Sequence, residues 1–373
     1  MERRQKESIL SDLSKKMVFL TGPRQVGKTW LAKEIATLFS DSVYLNYDSL
    51  PDRKIIKNEA WLLKTKLLIL DEIHKMPGWK NYLKGVYDTK PDQMMILVTG
   101  SARLEMFRQS GDSLAGRYFL HRLLPLTPSE LGADERSRDL DRFMKRGGFP
   151  EPFLAETDTD ADRWRMQYVD GLIRTDILDF EKIHDFKAIQ LVVKLLRSRV
   201  GSPISYQAIS EDVGIAPNTV RKYISILESL YIIFRVPPFS KNIARAIVKE
   251  PKIYFFDTGL VEGDEGVRFE NLVALSLLKH AYGMTDYLGK AYALNYLRTK
   301  DGAEVDFCVV NEDKPELMIE AKRSDPIPGR SILNFNKRYG IPGLQVVLHL
   351  KQEQVEKGIE VRRGLDYLKS MPF

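Results

Sequence analysis

Gly22-Pro23-Arg24-Gln25-Val26-Gly27-Lys28-Thr29 decides the reading of this chain. The spacing G-x-x-x-x-G-K-T places glycines where a backbone must curl until successive N–H groups point inward at an anion. A lysine in the seventh place reaches terminal phosphate oxygens, and the hydroxyl in the eighth ligates Mg2+. The flanking sequence suits such a loop. Residues 16–21 form a short apolar run of strand formers, and residues 30–39 carry Leu31, Ile35 and Leu38 at helical spacing. A helix starting at the loop adds the positive end of its dipole to the same site. The expectation is a nucleoside triphosphate held by Gly22 to Thr29 and the adjoining Trp30, with Mg2+ on Thr29.

Leu67-Leu68-Ile69-Leu70-Asp71-Glu72, whose Asp71 lies 43 residues beyond Lys28, reads as a buried parallel strand ending in two carboxylates. Such strands end beside the phosphate loop in doubly wound folds. Asp71 is expected to hold Mg2+ and Glu72 to polarise the attacking water. Residues 94–102 form another apolar strand, closing on Thr99-Gly100-Ser101. In AAA-superfamily ATPases, which this arrangement resembles, a polar side chain there senses the terminal phosphate; the resemblance makes Thr99 and Ser101 the candidates, and Ser101 is preferred because it lies nearer the carboxyl end. An arginine stabilises the charge of phosphoryl transfer, from its own subunit or from a neighbouring copy. Arg117 is the leading candidate, with Arg103 and Arg122 as competitors. The catalytic set expected is therefore Glu72, Lys28, Arg117 and Ser101.

With 373 residues and 43% hydrophobic content, the chain predicts two or three domains with substantial cores. No apolar run approaches the ~20 residues that cross a bilayer, and no signal-peptide core follows the charged first residues. The lone cysteine, Cys308, excludes an intramolecular disulfide framework and a cysteine-rich zinc site. A reducing, cytoplasmic setting fits these features. The net charge of +6 is unevenly spread: residues 151–186 carry −6 and residues 187–250 carry +6. A basic middle segment permits contact with nucleic acid, and a solvated basic face is the alternative.

Five segments together resemble a large family of archaeal and bacterial AAA-superfamily ATPases: Thr21–Thr29, Leu70-Asp71-Glu72-Ile73-His74, Thr99–Ala102, Ser113-Leu114-Ala115-Gly116-Arg117 and Gly147-Gly148-Phe149-Pro150-Glu151. The resemblance spans essentially the whole chain. It implies ATP, an ATPase domain, a winged helix and a C-terminal domain like the restriction endonucleases. No guanine-selective Asn-Lys-x-Asp motif is present, which agrees with ATP.

Residues 187–199, 205–213 and 219–230 show the spacing of three helices, the last two joined across Gly214–Asn218. This is the helix-turn-helix pattern, with Ser205 as the N-cap of the second helix. Residues 231–236, and Ile247 after Pro237-Pro238, would supply a β-wing. On DNA, Asn218, Thr219, Arg221 and Lys222 would occupy the face entering the major groove. A role as an interdomain lever or a protein-binding module is the competing reading. The acidic stretch 156–162 suits a solvated loop before a helix at about 163–181.

From residue 251 on, 251–260 read as a strand followed by a turn, 268–280 as a helix, 295–298 as a strand, 302–310 as a turn and strand, 317–322 as a strand, and 331–373 as a helix, a strand at 344–350 and a final amphipathic helix. Asp306, followed after 13 residues by Glu320-Ala321-Lys322, matches D…E-x-K of the PD-(D/E)XK nucleases. In such sites two carboxylates hold a divalent metal and the lysine helps position water. Glu270, on the preceding helix, would join Asp306 and Glu320 as a ligand of this second metal, with Lys322 beside them. Otherwise the acids form a salt-bridge network with Lys322 and Arg298.

The resulting expectation is an α/β chain: an AAA-type ATPase core with a parallel sheet (1–150), a helical linker and winged helix-turn-helix (151–250), and an α/β nuclease-like domain (251–373). ATP and Mg2+ are the expected cofactors. DNA is the expected partner, with assembly of several copies allowed and no membrane involved. The alternative is a nucleotide-controlled signalling or scaffold ATPase whose later domains bind protein.

Overall fold

The apolar runs around the glycine loop become the strands of one parallel sheet. In the computed structural model residues 3–101, 114–131, 137–176, 185–240, 250–299 and 301–373 are described. They divide into two units, one ending at Leu124 and the other running from Pro125 to Phe373.

The first unit contains α1 (Gln5–Leu13), β1 (Met17–Thr21), α2 (Lys28–Ala36), β2 (Ser42–Asn46), α3 (Leu50–Lys57), β3 (Leu67–Asp71), α4 (Trp79–Thr89), β4 (Met95–Thr99) and β5 (Tyr118–Arg122). Its strands run parallel in the order β2-β3-β4-β1-β5. Burial explains the order. Every residue of β1 and β3 is buried, as a strand covered on both faces requires, whereas the edge strands β2 and β5 are mostly half-buried. Strand β4 lies between β1 and β3, so that Thr99 is level with Leu20 on one side and Asp71 on the other. The carboxyl ends of the three central strands thus meet at the glycine loop, where doubly wound sheets bind ligands.

The second unit begins with α5 (Ser137–Arg146), α6 (Pro150–Leu154), α7 (Asp158–Gly171) and a π-helical turn (Leu172–Asp176). Helix α7 starts earlier than its apolar spacing predicts. Thr157 caps it by accepting from the Asp160 amide, and Asp158 and Asp160 lie in its first turn. The acidic stretch expected to be a loop therefore complements the helix dipole. Three helices follow, α8 (Phe186–Arg197), α9 (Tyr206–Val213) and α10 (Pro217–Ser229), then an antiparallel hairpin of β6 (Ile233–Val236) and β7 (Lys252–Phe255). Ser205 caps α9 as expected, and Pro217 opens α10 where its missing N–H costs nothing. Ile247 lies outside the described residues.

A long helix, α11 (Glu265–Leu288), leads into β8 (Tyr292–Arg298), β9 (Glu304–Asn311), β10 (Lys314–Lys322), α12 (Arg330–Tyr339), β11 (Gly343–Val347), β12 (Gln354–Glu356), β13 (Ile359–Arg363) and α13 (Gly364–Ser370). The six strands form one sheet in the order β12-β13-β11-β10-β9-β8. Strands β8, β9 and β10 make an antiparallel meander, and β11 returns parallel to β10 after α12.

The Gly147-Gly148 motif is a packing joint as well as a turn. Gly147 has φ +74, and a Cβ there would lie 1.7 Å from Asp257 Oδ1. Asp257 accepts from Arg165 Nε at 2.8 Å and from the Gly259 amide at 3.0 Å, and Arg165 also donates to the Arg146 carbonyl at 3.1 Å. Phe149 packs on Trp164 and Tyr168 beside this joint.

Candidate functional site

The loop between β1 and α2 depends on a backbone that only glycine permits at its start. Gly22 has φ +139, and a Cβ would lie 2.1 Å from the Leu123 carbonyl oxygen. Gly27 then opens α2 in the left-handed region. Lys28 is buried at the head of that helix and donates to the carbonyls of Gly22 (3.1 Å) and Pro23 (2.5 Å). Burial lowers its pKa to about 8, against the pull of Glu72 and Asp71 and with Arg24 adding to the fall. Trp30 is exposed, one residue beyond Thr29.

Asp71 ends β3 at the centre of a polar knot. Its Oδ2 accepts from Thr29 Oγ1 at 3.0 Å and from the Tyr44 hydroxyl at 2.6 Å, and its Oδ1 accepts from Thr99 Oγ1 at 2.5 Å. The loop hydroxyl and the strand carboxylate, hard oxygen donors of the kind Mg2+ takes, are therefore adjacent. Glu72 has φ +56, a left-handed conformation uncommon outside glycine. Its amide donates to the Thr99 carbonyl at 3.0 Å, and its carboxylate lies 3.3 Å from Lys75 Nζ and 3.6 Å from His74 Nε2. Lys75 also pairs with Asp48 at 2.5 Å.

The other expected members of this site stand differently. Ser101 is buried just past the end of β4, while Thr99 is the one that touches Asp71. Arg117 makes a two-pronged pair with Asp88 at 2.9 and 3.0 Å. Arg103 lies outside the described residues. Two contributors are absent from the motifs. Tyr44 reaches Asp71 from the edge strand β2. Arg3, buried, donates to the Val26 carbonyl of the loop at 2.5 Å and to the Leu124 carbonyl at 3.0 Å.

In the second unit the residues expected to face DNA lie on α10. Asn218, Arg221 and Lys222 are exposed and Thr219 is half-buried. The Arg221 guanidinium sits 5.2 Å from the ring centre of Tyr206 on α9.

Glu270, Asp306, Glu320 and Lys322 come together in the C-terminal sheet region with two further residues, Lys252 and Glu304. Lys252 Nζ lies 2.8 Å from Glu304, 3.4 Å from Asp306 and 3.9 Å from Glu270. Asp306 Oδ2 accepts from the Ala321 amide, Glu270 accepts from the Tyr254 hydroxyl, and Glu320 Oε1 lies 2.8 Å from Lys322 Nζ. Burial and Asp306 push the Glu270 carboxyl up to about 8, against Lys252 and Tyr254. Among the described residues no group of three or more His, Cys, Asp or Glu side chains is arranged to hold a metal ion. Cys308 is buried, and burial pushes its thiol up to about 12.

Three family models match successive parts of the chain. Residues 14–132 match the AAA domain family. Residues 137–265 and 265–363 match two families described as domains of unknown function, DUF8612 and DUF4143. An uncharacterized protein of Mycobacterium tuberculosis is 26% identical over 325 residues, covering 85% of this chain and 72% of its own. An uncharacterized protein of Methanocaldococcus jannaschii is 23% identical, covering 86% and 78%. Among solved structures, a Walker-type ATPase of Pyrococcus abyssi matches with TM-score 0.43 and 14% identity, over 69% of this chain and 93% of that one. A variant of RuvB from Thermotoga maritima matches with TM-score 0.31 and 18% identity, over 62% and 88%. Among the described residues no helix is long and apolar enough to cross a membrane. Residues 14–132, which match the AAA domain family, have the strand order and glycine-loop geometry of a P-loop ATPase domain.

Proposed function

We propose that this protein hydrolyses ATP with Mg2+ and uses the nucleotide state to control how its later segments engage DNA. The observation that carries the catalytic part is the 3.0 Å contact between Thr29 Oγ1 and Asp71 Oδ2, with Glu72 next in the chain. Thr29 and Asp71 would hold Mg2+, whose charge offsets that of the phosphate oxygens when it is bound. Lys28 would leave the Gly22 and Pro23 carbonyls for the phosphates. Glu72 would accept a proton from the attacking water. Thr99, which already touches Asp71, and Ser101 would report the terminal phosphate. Arg117 would have to leave Asp88 before it could serve phosphoryl transfer, in its own subunit or a partner copy's site.

The DNA part rests on the α8–α10 helices with the β6–β7 hairpin, and on the exposed Asn218, Arg221 and Lys222. A second reading, in which this face is a protein-binding or interdomain surface, is favoured by the Arg221–Tyr206 stack, because arginine and tyrosine are enriched at protein interfaces.

Steady-state ATP turnover, with and without duplex, branched and single-stranded DNA, tests both parts. Glu72→Gln should keep nucleotide binding and slow hydrolysis by about 10²-fold or more; a wild-type rate refutes the role of Glu72. DNA stimulation, with salt-dependent binding weakened in Arg221→Ala/Lys222→Ala, supports action on DNA. No DNA affinity at low salt leaves the protein-binding reading.

A further inference from the structure

The acidic cluster of the second unit sits where a D…E-x-K site would hold a divalent ion, but a side chain from elsewhere already supplies a cation. Lys252 belongs to β7, half of the hairpin that follows the helix-turn-helix, and lies outside the D…E-x-K motif. Its side chain is 1% exposed. Its ammonium faces Glu304, Asp306 and Glu270 within 3.9 Å, and the Tyr296 ring lies 5.5 Å away. The position is fixed by backbone pairing: Lys252 pairs with Val236 of β6 and bridges to Pro203.

The carboxylate oxygens are largely spoken for. Asp306 directs Oδ1 to Lys252 and Oδ2 to the Ala321 amide. Glu270 Oε1 takes the Tyr254 hydroxyl and Glu320 Oε1 takes Lys322. Glu320 Oε2 is the one oxygen of these groups that is buried without a hydrogen-bond partner. A divalent ion would need several such oxygens at once, and it would have to sit a few ångströms from a buried ammonium.

We propose that Lys252 is the resident cation of this cluster, and that a divalent metal binds there only when the Lys252 ammonium is gone. The C-terminal sheet then carries nuclease-like acids wired as a structural ion-pair network. The hairpin carrying Lys252 is tied through that network to β9.

The test is Mn2+ titration of the full chain without nucleotide, followed by loss of the free-ion electron paramagnetic resonance signal. Wild type should show no Mn2+ site that depends on Asp306. Lys252→Met should gain one ion per chain, bound at least about tenfold more tightly than any site of wild type in this region. Lys252→Met/Asp306→Asn should lose it. An Asp306-dependent site in wild type overturns the proposal, as does a Lys252→Met protein that melts cooperatively yet binds no more Mn2+ than wild type. Should Lys252→Met not fold, wild type decides alone. A melting temperature raised by Mn2+, with the rise absent in Asp306→Asn and present in Asp71→Asn, overturns it; no such rise supports it. The outcome is independent of ATP turnover, so it stands apart from the ATPase reading.

Discussion

Lys28 offers the sharpest test of how the glycine loop binds its ligand. Burial without a strong anionic partner lowers its pKa from 10.5 to about 8, and its protons go to two loop carbonyls. A bound polyphosphate places negative charge directly on the ammonium, returning it to full protonation across the ordinary range. Nucleotide binding must then take up protons from solution. A group with pKa about 8 is roughly half protonated at pH 8 and about one-tenth protonated at pH 9, so uptake should be about 0.5 and about 0.9 protons per nucleotide, falling below about 0.1 at pH 7. By linkage, affinity should weaken toward about tenfold per pH unit above pH 8.

Calorimetric titration with a non-hydrolysable ATP analogue, in buffers of differing ionisation enthalpy, measures this uptake directly. A buffer-independent enthalpy at pH 9 refutes the reasoning. The sign for stability follows from the same shift. The folded pKa lies below the unfolded value, so the unfolded chain binds more protons between pH 8 and 10.5. Stability without nucleotide should therefore rise with pH through that window, by about 3 kcal/mol in full. Urea unfolding of wild type and Lys28→Met at pH 7.5 and 9.5 isolates this contribution.

Three other substitutions probe the fold around the sites. Gly22→Ala drives a Cβ against the Leu123 carbonyl in a backbone region that alanine avoids, and should cost roughly 3 kcal/mol or more with loss of nucleotide binding; unfolding curves matching wild type would exclude it. Tyr44→Phe removes a donor that orients Asp71, so ATP turnover should need about tenfold more Mg2+ while reaching a similar maximum; an unshifted Mg2+ titration counts against this role. Arg165→Met strands the buried Asp257 carboxylate and should destabilise the second unit by about 3–5 kcal/mol in urea unfolding; a loss under about 1 kcal/mol would show that the Gly259 amide alone satisfies it.

The legible parts of the chain are those whose physics is local. The glycine loop, β3 with its Asp71-Glu72 terminus, and the Ser205 cap each depend on residues adjacent in sequence. Tyr44 is illegible because its contact with Asp71 exists only once β2 pairs beside β3, 27 residues on. Thr99 outranks Ser101 at Asp71 for the same reason: β4 is set level with β3 by a sheet order that no single strand specifies. The start of α7 escapes a reading by apolar spacing because Asp158 and Asp160 look like solvent-loving loop residues, although a helix N-terminus prefers them. The β12–β13 hairpin leaves little trace because β12 is short and exposed at the sheet edge. Lys252 does leave a trace that a stricter reading could use, since a lone lysine leading into Ile253-Tyr254-Phe255-Phe256 needs a buried counter-charge.

Lys28 and Lys252, both buried, separate the two kinds of site more clearly than their motifs do. Each lies near carboxylates and each loses solvation. For Lys28 burial dominates and the pKa falls, because Asp71 directs its oxygens to Thr29, Tyr44 and Thr99 instead of to the ammonium. For Lys252 burial also lowers the pKa, but Asp306, Glu270 and Glu304 more than offset it and the value rises. The first lysine is left short of negative charge, which a bound phosphate would supply. The second already has its charge from the protein. A cation in need of a ligand marks a site for binding an anion from outside; a cation with three carboxylates within 3.9 Å marks a joint. On that physical distinction the glycine loop has a charge deficit that a bound phosphate would fill, whereas the D…E-x-K segment, for all its resemblance to a metal centre, has its charge balanced by its own chain.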